Sequence, residues 1–506
     1  MSKMRHLSAS VVLSACVAPA WADSWLQSGH DQNHSGNNTA ETLIGAANVS
    51  GMILAYSTPF AGTDGPLVFL PQVRTPSGAR DLLFATTSLG VAAIDATTGG
   101  AVWTQSTTRY EYSNGAAPAI EPSGQFIYGP GSDGRVHKLA VATGAEVVDG
   151  VWPVVSSLKT GPEKASSPLA IGTTSSGSQF LYSVTASYND SGNYQGHLTA
   201  VNLATGSSAV FNAACSDLHV HFVMNGTPGV DDCATTMNGI WSRAGATFNP
   251  YNQRIYLSIG NGPFDADSGG HDWGDSVLAL KPDGTGGVDA SLPLDSYTPA
   301  EWQSMWMQNT DLGSSSTAVL PPVSGSSVAH LGLQIGKDGV VRLLDLDNLS
   351  GQHAPGFVGG ELQKVALLPG GFGNFATPQP AIWTDVHGDG SIWVFASVQG
   401  VLSGLQLLVD AGQPTLVPRW SASAMANSSS PIVANDVLYA VTSGATIAAF
   451  TPTTGGVLWT SQPIAGCCHA QSPIVVNGAL YLATSSTLVR YGVVTHGKGK
   501  GGHKPH

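Results

Sequence analysis

The chain of 506 residues carries 20 Lys+Arg against 33 Asp+Glu, a formal net charge of −13. That balance argues against a nucleic-acid partner, because such proteins present a basic face. Charged residues are only 10% of the chain, with 62 glycines. This excludes a coiled coil or a protein of long charged helices, and the hydrophobic fraction of 42% excludes bulk disorder.

The first element is a leader. Lys3 and Arg5 precede an apolar run from Leu7 to Ala20 that is too short to span a bilayer. Residues 1–22 therefore read as a signal peptide. Two processing routes stay open. Ala20-Trp21-Ala22 offers an A-x-A cleavage site with Asp23 as the mature start, whereas Leu13-Ser14-Ala15-Cys16 resembles a lipoprotein box that would anchor Cys16 to a membrane. The mature chain is expected to be periplasmic or secreted on the first route, and lipid-anchored on the second. No later segment reaches the roughly 18 apolar residues of a membrane span, so no transmembrane segment is expected.

Residues 23–494 are expected to form a single all-β body built from repeats. Ser430-Pro431-Ile432-Val433 through Leu438-Tyr439 recurs as Ser472-Pro473-Ile474-Val475 through Leu480-Tyr481. That spacing is the size of one four-stranded propeller blade. A second motif, Ile94-Asp95-Ala96-Thr97-Thr98-Gly99-Gly100-Ala101-Val102-Trp103, matches Phe450 to Trp459, with degenerate copies ending at Gly144, Gly206, Gly284 and Gly351. It reads as a strand, a turn whose glycine takes a positive φ, and a second strand ending in a Trp that packs between blades. Strand pairs fall near 82–106, 125–155, 179–214, 253–292, 326–352, 391–421, 436–460 and 478–494. The last unit is short by one strand, and Met52-Ile53-Leu54-Ala55-Tyr56 reads as the missing outer one. An eight-bladed β-propeller closed by strands from both ends is predicted, with seven blades as the alternative count; closure removes an open sheet edge. Residues 495–506, rich in Gly, His and Lys, read as a disordered basic tail.

Four cysteines remain beyond the leader. An even number in an exported chain predicts two disulfides out of three connectivities. The expected pairing is Cys215–Cys233, closing one loop, with a vicinal Cys467–Cys468 bridge. No C-x-x-C-H is present, so no haem of its own is expected.

These repeats resemble those of the pyrroloquinoline-quinone (PQQ) propellers, the quinoprotein alcohol dehydrogenases, over nearly the whole mature chain. The pattern is nearest to polyvinyl-alcohol-dehydrogenase-type sequences. The blocks that carry it are Trp25 to Asp31 followed by Asn38 and Glu41-Thr42, Gly239 to Ser242, Tyr256 to Gly262, Gly274 to Leu280, Asp311 to Ser315 and Gly336 to Val340. The resemblance implies PQQ at the axial mouth, a Ca²⁺ or lanthanide ion bound by an Asn and carboxylates, an Asp as base, and a vicinal disulfide over the ring. By position, Asn261 corresponds to the metal-binding Asn and Asp311 to the base and a metal ligand. Lys337 corresponds to a cofactor contact, Trp241 to the stacking ring, and Cys467 with Cys468 to the disulfide. A metal that polarises a quinone carbonyl and a carboxylate that takes an alcohol proton make a coherent pair.

Three departures accompany the resemblance. The strand Leu181 to Ala186 runs on into Ser187-Tyr188-Asn189-Asp190 without the family's Glu, and Asp190 substitutes only with an offset. Gln195 stands where the family has an Arg. The Cys pair lies in the last blade rather than an early one, though still before an inner strand. Two functions therefore stay open. One is an oxidoreductase of an alcohol or sugar that passes electrons to an external acceptor. The other is a propeller without cofactor that binds protein or polysaccharide.

Three further groups have readings of their own. Asp265, Asp267, His271, Asp272 and Asp275 crowd one loop, which suits either Ca²⁺ or a solvated loop of Asx-turns. His219 and His221 would share one face of a strand, and His469 beside Cys468 is a candidate for the mouth.

Overall fold

Successive side chains of a β-strand point to opposite faces, so a strand buried on both faces must be apolar throughout. The strand Gly78–Thr87 shows the consequence. Leu82 and Phe84 pack with Ile120, Ile127 and Leu139 of the following sheet. Leu83 and Ala85 pack the other way, with Leu480, Leu482 and Leu488 of the preceding one. Each sheet is thus sandwiched by two neighbours, and the only arrangement without an end is a ring.

The computed structural model describes residues 23–63, 65–107, 115–188, 190–224, 226–230, 233–367 and 377–493. The leader with Cys16 and the basic tail lie outside them. Eight sheets, antiparallel but for the strand Asn37–Asn38 that joins one of them in parallel, form an eight-bladed propeller, so the count of eight holds and seven does not. In chain order the blades run from Val68–Thr75 to Ala101–Gln105 (blade 1), Ala119–Ile120 to Val154–Val155 (blade 2) and Glu163–Ala165 to Ser208–Asn212 (blade 3). Blades 4 to 6 run from Thr247–Asn249 to Asp295–Tyr297, Ala318–Val319 to Gln363–Ala366, and Ala381–Thr384 to Gln413–Ala422. Blade 7 runs from Ile432–Ala434 to Val457–Thr460, and blade 8 takes Ile474–Val476, Ala479–Ala483 and Thr487–Val493. Its outer strand is Met52–Pro59, paired antiparallel with Thr487–Val493. The expected closure by the N-terminal strand is present, three residues longer than the pattern indicated.

The rim contacts repeat. Trp103, on the outer strand of blade 1, donates its Nε1–H to Val141 O of blade 2 at 3.0 Å. Trp420 of blade 6 does the same to Pro452 O of blade 7 at 2.8 Å, and Tyr56 of blade 8 donates to Ala96 O of blade 1 at 3.1 Å. Each ring lies on the glycine three residues further on. Gly455 holds φ 68°, and a Cβ there would stand 2.5 Å from the Trp420 ring.

The N-terminal segment circles the axis. Trp25 exchanges backbone hydrogen bonds with Phe69 of blade 1, and Leu26 O accepts from Ile120 N of blade 2. Gln27 bonds both N and O of Ile171 in blade 3. Gln32 O, Ser35 O and Gly36 O accept from Phe248, Ile382 and Val433 of blades 4, 6 and 7. Asn38 Nδ2 donates to Val475 O of blade 8 at 2.8 Å. His34, fully buried, bridges Ser28 O and Ala246 O. Among the described residues no helix is long and apolar enough to cross a membrane.

Candidate functional site at the propeller mouth

Strand alternation decides which loops meet. An inner strand leaves the mouth, the second strand returns to it, and the fourth ends there as well. The residues before inner strands and those after second strands therefore open on the same end. Trp241, Asp311 and Cys467–Cys468 precede the inner strands of blades 4, 5 and 8, whereas Asp190, Asn261 and Lys337 follow the second strands of blades 3, 4 and 5.

Five of these residues, Asp190, Trp241, Asn261, Asp311 and Lys337, line one cavity of about 220 Å³. Asp311 is fully buried. Its Oδ1 pairs with Lys337 Nζ at 2.5 Å, and its Oδ2 accepts from Trp241 Nε1 at 3.1 Å. Its carbonyl accepts from Lys337 N at 3.0 Å, so side chain and backbone tie the same two residues together. Lys337 Nζ also donates to Asn309 Oδ1 at 2.9 Å and stands 4.8 Å above the Trp241 ring, a cation–π contact. Burial pushes the Asp311 carboxyl above its ordinary range, while Lys337 pulls it back.

Asn261 Nδ2 donates to Asp190 Oδ2 at 3.5 Å, and the Tyr194 hydroxyl donates to Asp190 Oδ1. Asp190 reaches this position from a left-handed backbone conformation, φ 51°. Trp241 is held close to the segment bearing Asn261: a Cβ on Gly260 would stand 2.6 Å from its Nε1.

A second cavity, of about 640 Å³, adjoins the first, since Trp241 and Lys337 line both. It is walled further by Arg243, Cys467, Cys468 and His469. Cys467–Cys468 and Cys215–Cys233 are the two disulfides, in the expected pairing. Arg243 and Lys337 are both buried cations, at 7% and 9% exposure. Arg243 also touches the small cleft against the N-terminal segment, so that segment lies beneath the mouth.

Sequence reasoning did not single out Asn309, Arg243 or Tyr194. Asn309 closes a seven-residue helix, Trp302–Gln308, with φ 53°; an Asn after a helical run is a familiar C-terminal cap. Gln195, in place of the family's Arg, accepts from the buried Lys159 ammonium at 2.5 Å.

The acidic loop is a brace. Asp265 Oδ1 accepts from Asp272 N, and the Asp272 carboxylate accepts from Cys215 N and Thr235 Oγ1. Asp275 Oδ1 accepts from Leu312 N at 2.9 Å; burial, and then the charge of Asp311, push Asp275 well above the carboxylate range. No three His, Cys, Asp or Glu side chains gather to hold a metal ion among the described residues. The expected strand through His219 and His221 is absent. His221 instead meets the His197 ring edge-on and bonds Thr199 Oγ1 at 2.9 Å, because the segment is an insertion folded back on blade 3.

The fold matches solved structures. A quinohemoprotein alcohol dehydrogenase from Comamonas testosteroni is 16% identical, with a TM-score of 0.64 over 97% of this chain and 83% of that one. A europium-containing methanol dehydrogenase is 13% identical, with a TM-score of 0.63 over 93% and 98%. A family model described as outer membrane protein assembly factor BamB matches residues 382–500. No curated protein matches the chain. The chain has the propeller fold of the PQQ-binding quinoprotein alcohol dehydrogenases, as its repeats implied.

Proposed function

We propose that this protein is an extracytoplasmic dehydrogenase that oxidises an alcohol or a sugar with PQQ and a Ca²⁺ or lanthanide ion, passing electrons to a separate acceptor. The observation that carries the reading is the gathering of Asp190, Trp241, Asn261, Asp311 and Lys337 round one cavity, beside a second that Trp241 and Lys337 line together with Arg243 and the Cys467–Cys468 disulfide. The lining suits the cofactor. An aromatic face and a disulfide suit a flat ring system, and the buried cations Arg243 and Lys337 suit its carboxylates. Asn261, Asp190 and Asp311 would supply oxygen ligands to a hard cation, with Asp190 in the role of the missing Glu.

When bound, PQQ supplies a two-electron acceptor and the metal polarises its carbonyl. The chain's own residues do the rest. Asp311 takes the hydroxyl proton of the substrate. Lys337 opposes the burial that favours the neutral acid of Asp311. Trp241 fixes Oδ2 through its N–H and offers its ring face to the cofactor.

A second reading is a propeller without cofactor that binds protein or polysaccharide. It is supported by the match of residues 382–500 to the assembly-factor family and by the missing Glu. Reconstitution separates the two. The purified chain is titrated with PQQ in the presence of Ca²⁺ or a lanthanide, and quenching of tryptophan fluorescence is followed. Saturable binding with substrate-dependent dye reduction supports the dehydrogenase; no binding with either metal overturns it and leaves the binding propeller.

A further inference from the structure

Arg342 lies on the strand Val340–Asp345 of blade 5 and is fully buried. Its guanidinium reaches two separate pieces of the mouth. Nη2 contacts Asp338 Oδ2 at 2.5 Å and Nη1 contacts Asp338 Oδ1 at 3.2 Å, beside Lys337. Nη2 also contacts Glu301 Oε1 at 2.7 Å and Met305 Sδ at 3.6 Å. Glu301 precedes the helix Trp302–Gln308, which ends at Asn309 and leads into Asp311. The two pieces are closely packed, since a Cβ on Gly336 would stand 3.3 Å from Met305 Cε.

We propose that Arg342 is a positioning residue: one buried guanidinium clamps the turn carrying Lys337 to the helix carrying Asn309 and Asp311, and so sets the Lys337–Asp311 contact. Arginine suits the task because its planar fork binds several oxygens in fixed directions, which a lysine ammonium does not. The remaining groups around it do not replace the clamp. Lys364 pairs with Glu301 and Glu361 from the solvent side. The bearing of Arg342 on catalysis rests on the dehydrogenase reading above, but the clamp itself needs no cofactor.

The test uses the whole chain without cofactor. The Trp241 indole N–H, bonded to Asp311 Oδ2, is observed by NMR in ¹⁵N-tryptophan-labelled protein and assigned by its loss in Trp241→Phe. Lys337→Met defines the shift of that resonance when the ion pair is gone. Arg342→Lys is expected to move it in the same direction by at least half as much, and Asp338→Asn, which loosens only one side of the clamp, by less. Should Arg342→Lys fail to fold, Asp338→Asn decides alone. A resonance that stays at the wild-type position while thermal stability falls assigns Arg342 a structural role only and overturns the proposal. A Trp241 signal unmoved by Lys337→Met overturns it as well.

Discussion

The rim and the mouth of this ring occupy the same repeats and are built on opposite rules. At the rim one contact recurs. An aromatic on the outer strand of one blade lies on a turn glycine of the next and donates to the carbonyl three residues before it, as in Tyr56 on Gly99, Trp103 on Gly144 and Trp420 on Gly455. At the mouth, equivalent loop positions hold unlike residues: Asp190, Asn261 and Lys337 all follow second strands, and Trp241, Asp311 and Cys467 all precede inner ones. The rim repeats because every blade meets its neighbour in the same way. The mouth does not, because its loops lie outside the strand pairing that every blade repeats and face one shared space, where the contacts between blades differ from pair to pair. On the dehydrogenase reading, stability falls to the rim and chemistry to the mouth.

The largest effect that sharpens this contrast is Asp311→Asn. On the dehydrogenase reading it lowers kcat by about 10²–10⁴-fold, the range of a lost general base, while PQQ binding persists and the fold stays intact by circular dichroism. A large loss of secondary structure would break the separation. Next is Trp420→Ala, expected to destabilise the ring by about 3 kcal/mol, measured by chemical denaturation, with cofactor binding unchanged. A loss of PQQ affinity as large as that stability cost would show that rim and mouth are coupled.

A third effect, read from pH dependence, concerns His221, within the insertion folded back on blade 3. Burial, and then the neighbouring His197, depress its imidazole to about 3, against about 6.5 in the unfolded chain. The unfolded state binds the proton first, so stability is present above pH 6.5 and is lost as pH falls toward 3. His221→Gln is expected to flatten that part of the stability profile in denaturation midpoints taken between pH 7 and pH 4. An unchanged slope would show that His221 does not contribute.

Much of this could be read from residues alone. Apolar alternation, the recurrence of the blade motif and the Thr-Gly turns are local signals that every blade repeats. The eight blades, the closing strand at Met52 and the interblade role of Trp103 were all legible for that reason, whereas the cysteine pairing was expected from even parity and loop closure. Of the mouth, Asn261, Asp311, Lys337 and Trp241 were legible as residue types in recognisable blocks.

Other features belong to tertiary structure. Asp190 meets Asn261 only because its backbone turns into the left-handed region, and no sequence spacing announces that. Arg342 was invisible as a clamp, since its partners Glu301 and Asp338 lie on separate elements. His219 and His221 failed as a strand pair because an insertion packs by contacts of its own, with no repeat to impose a register. The segment Trp25 to Asn38 was visible as a motif, but its path around the axis was not. Sequence by itself determined the repeating unit and its number, because hydrophobic periodicity is local. Closure of the ring decided which polar residues share a cavity, because only closure brings loops from blades 3, 4, 5 and 8 to one axis.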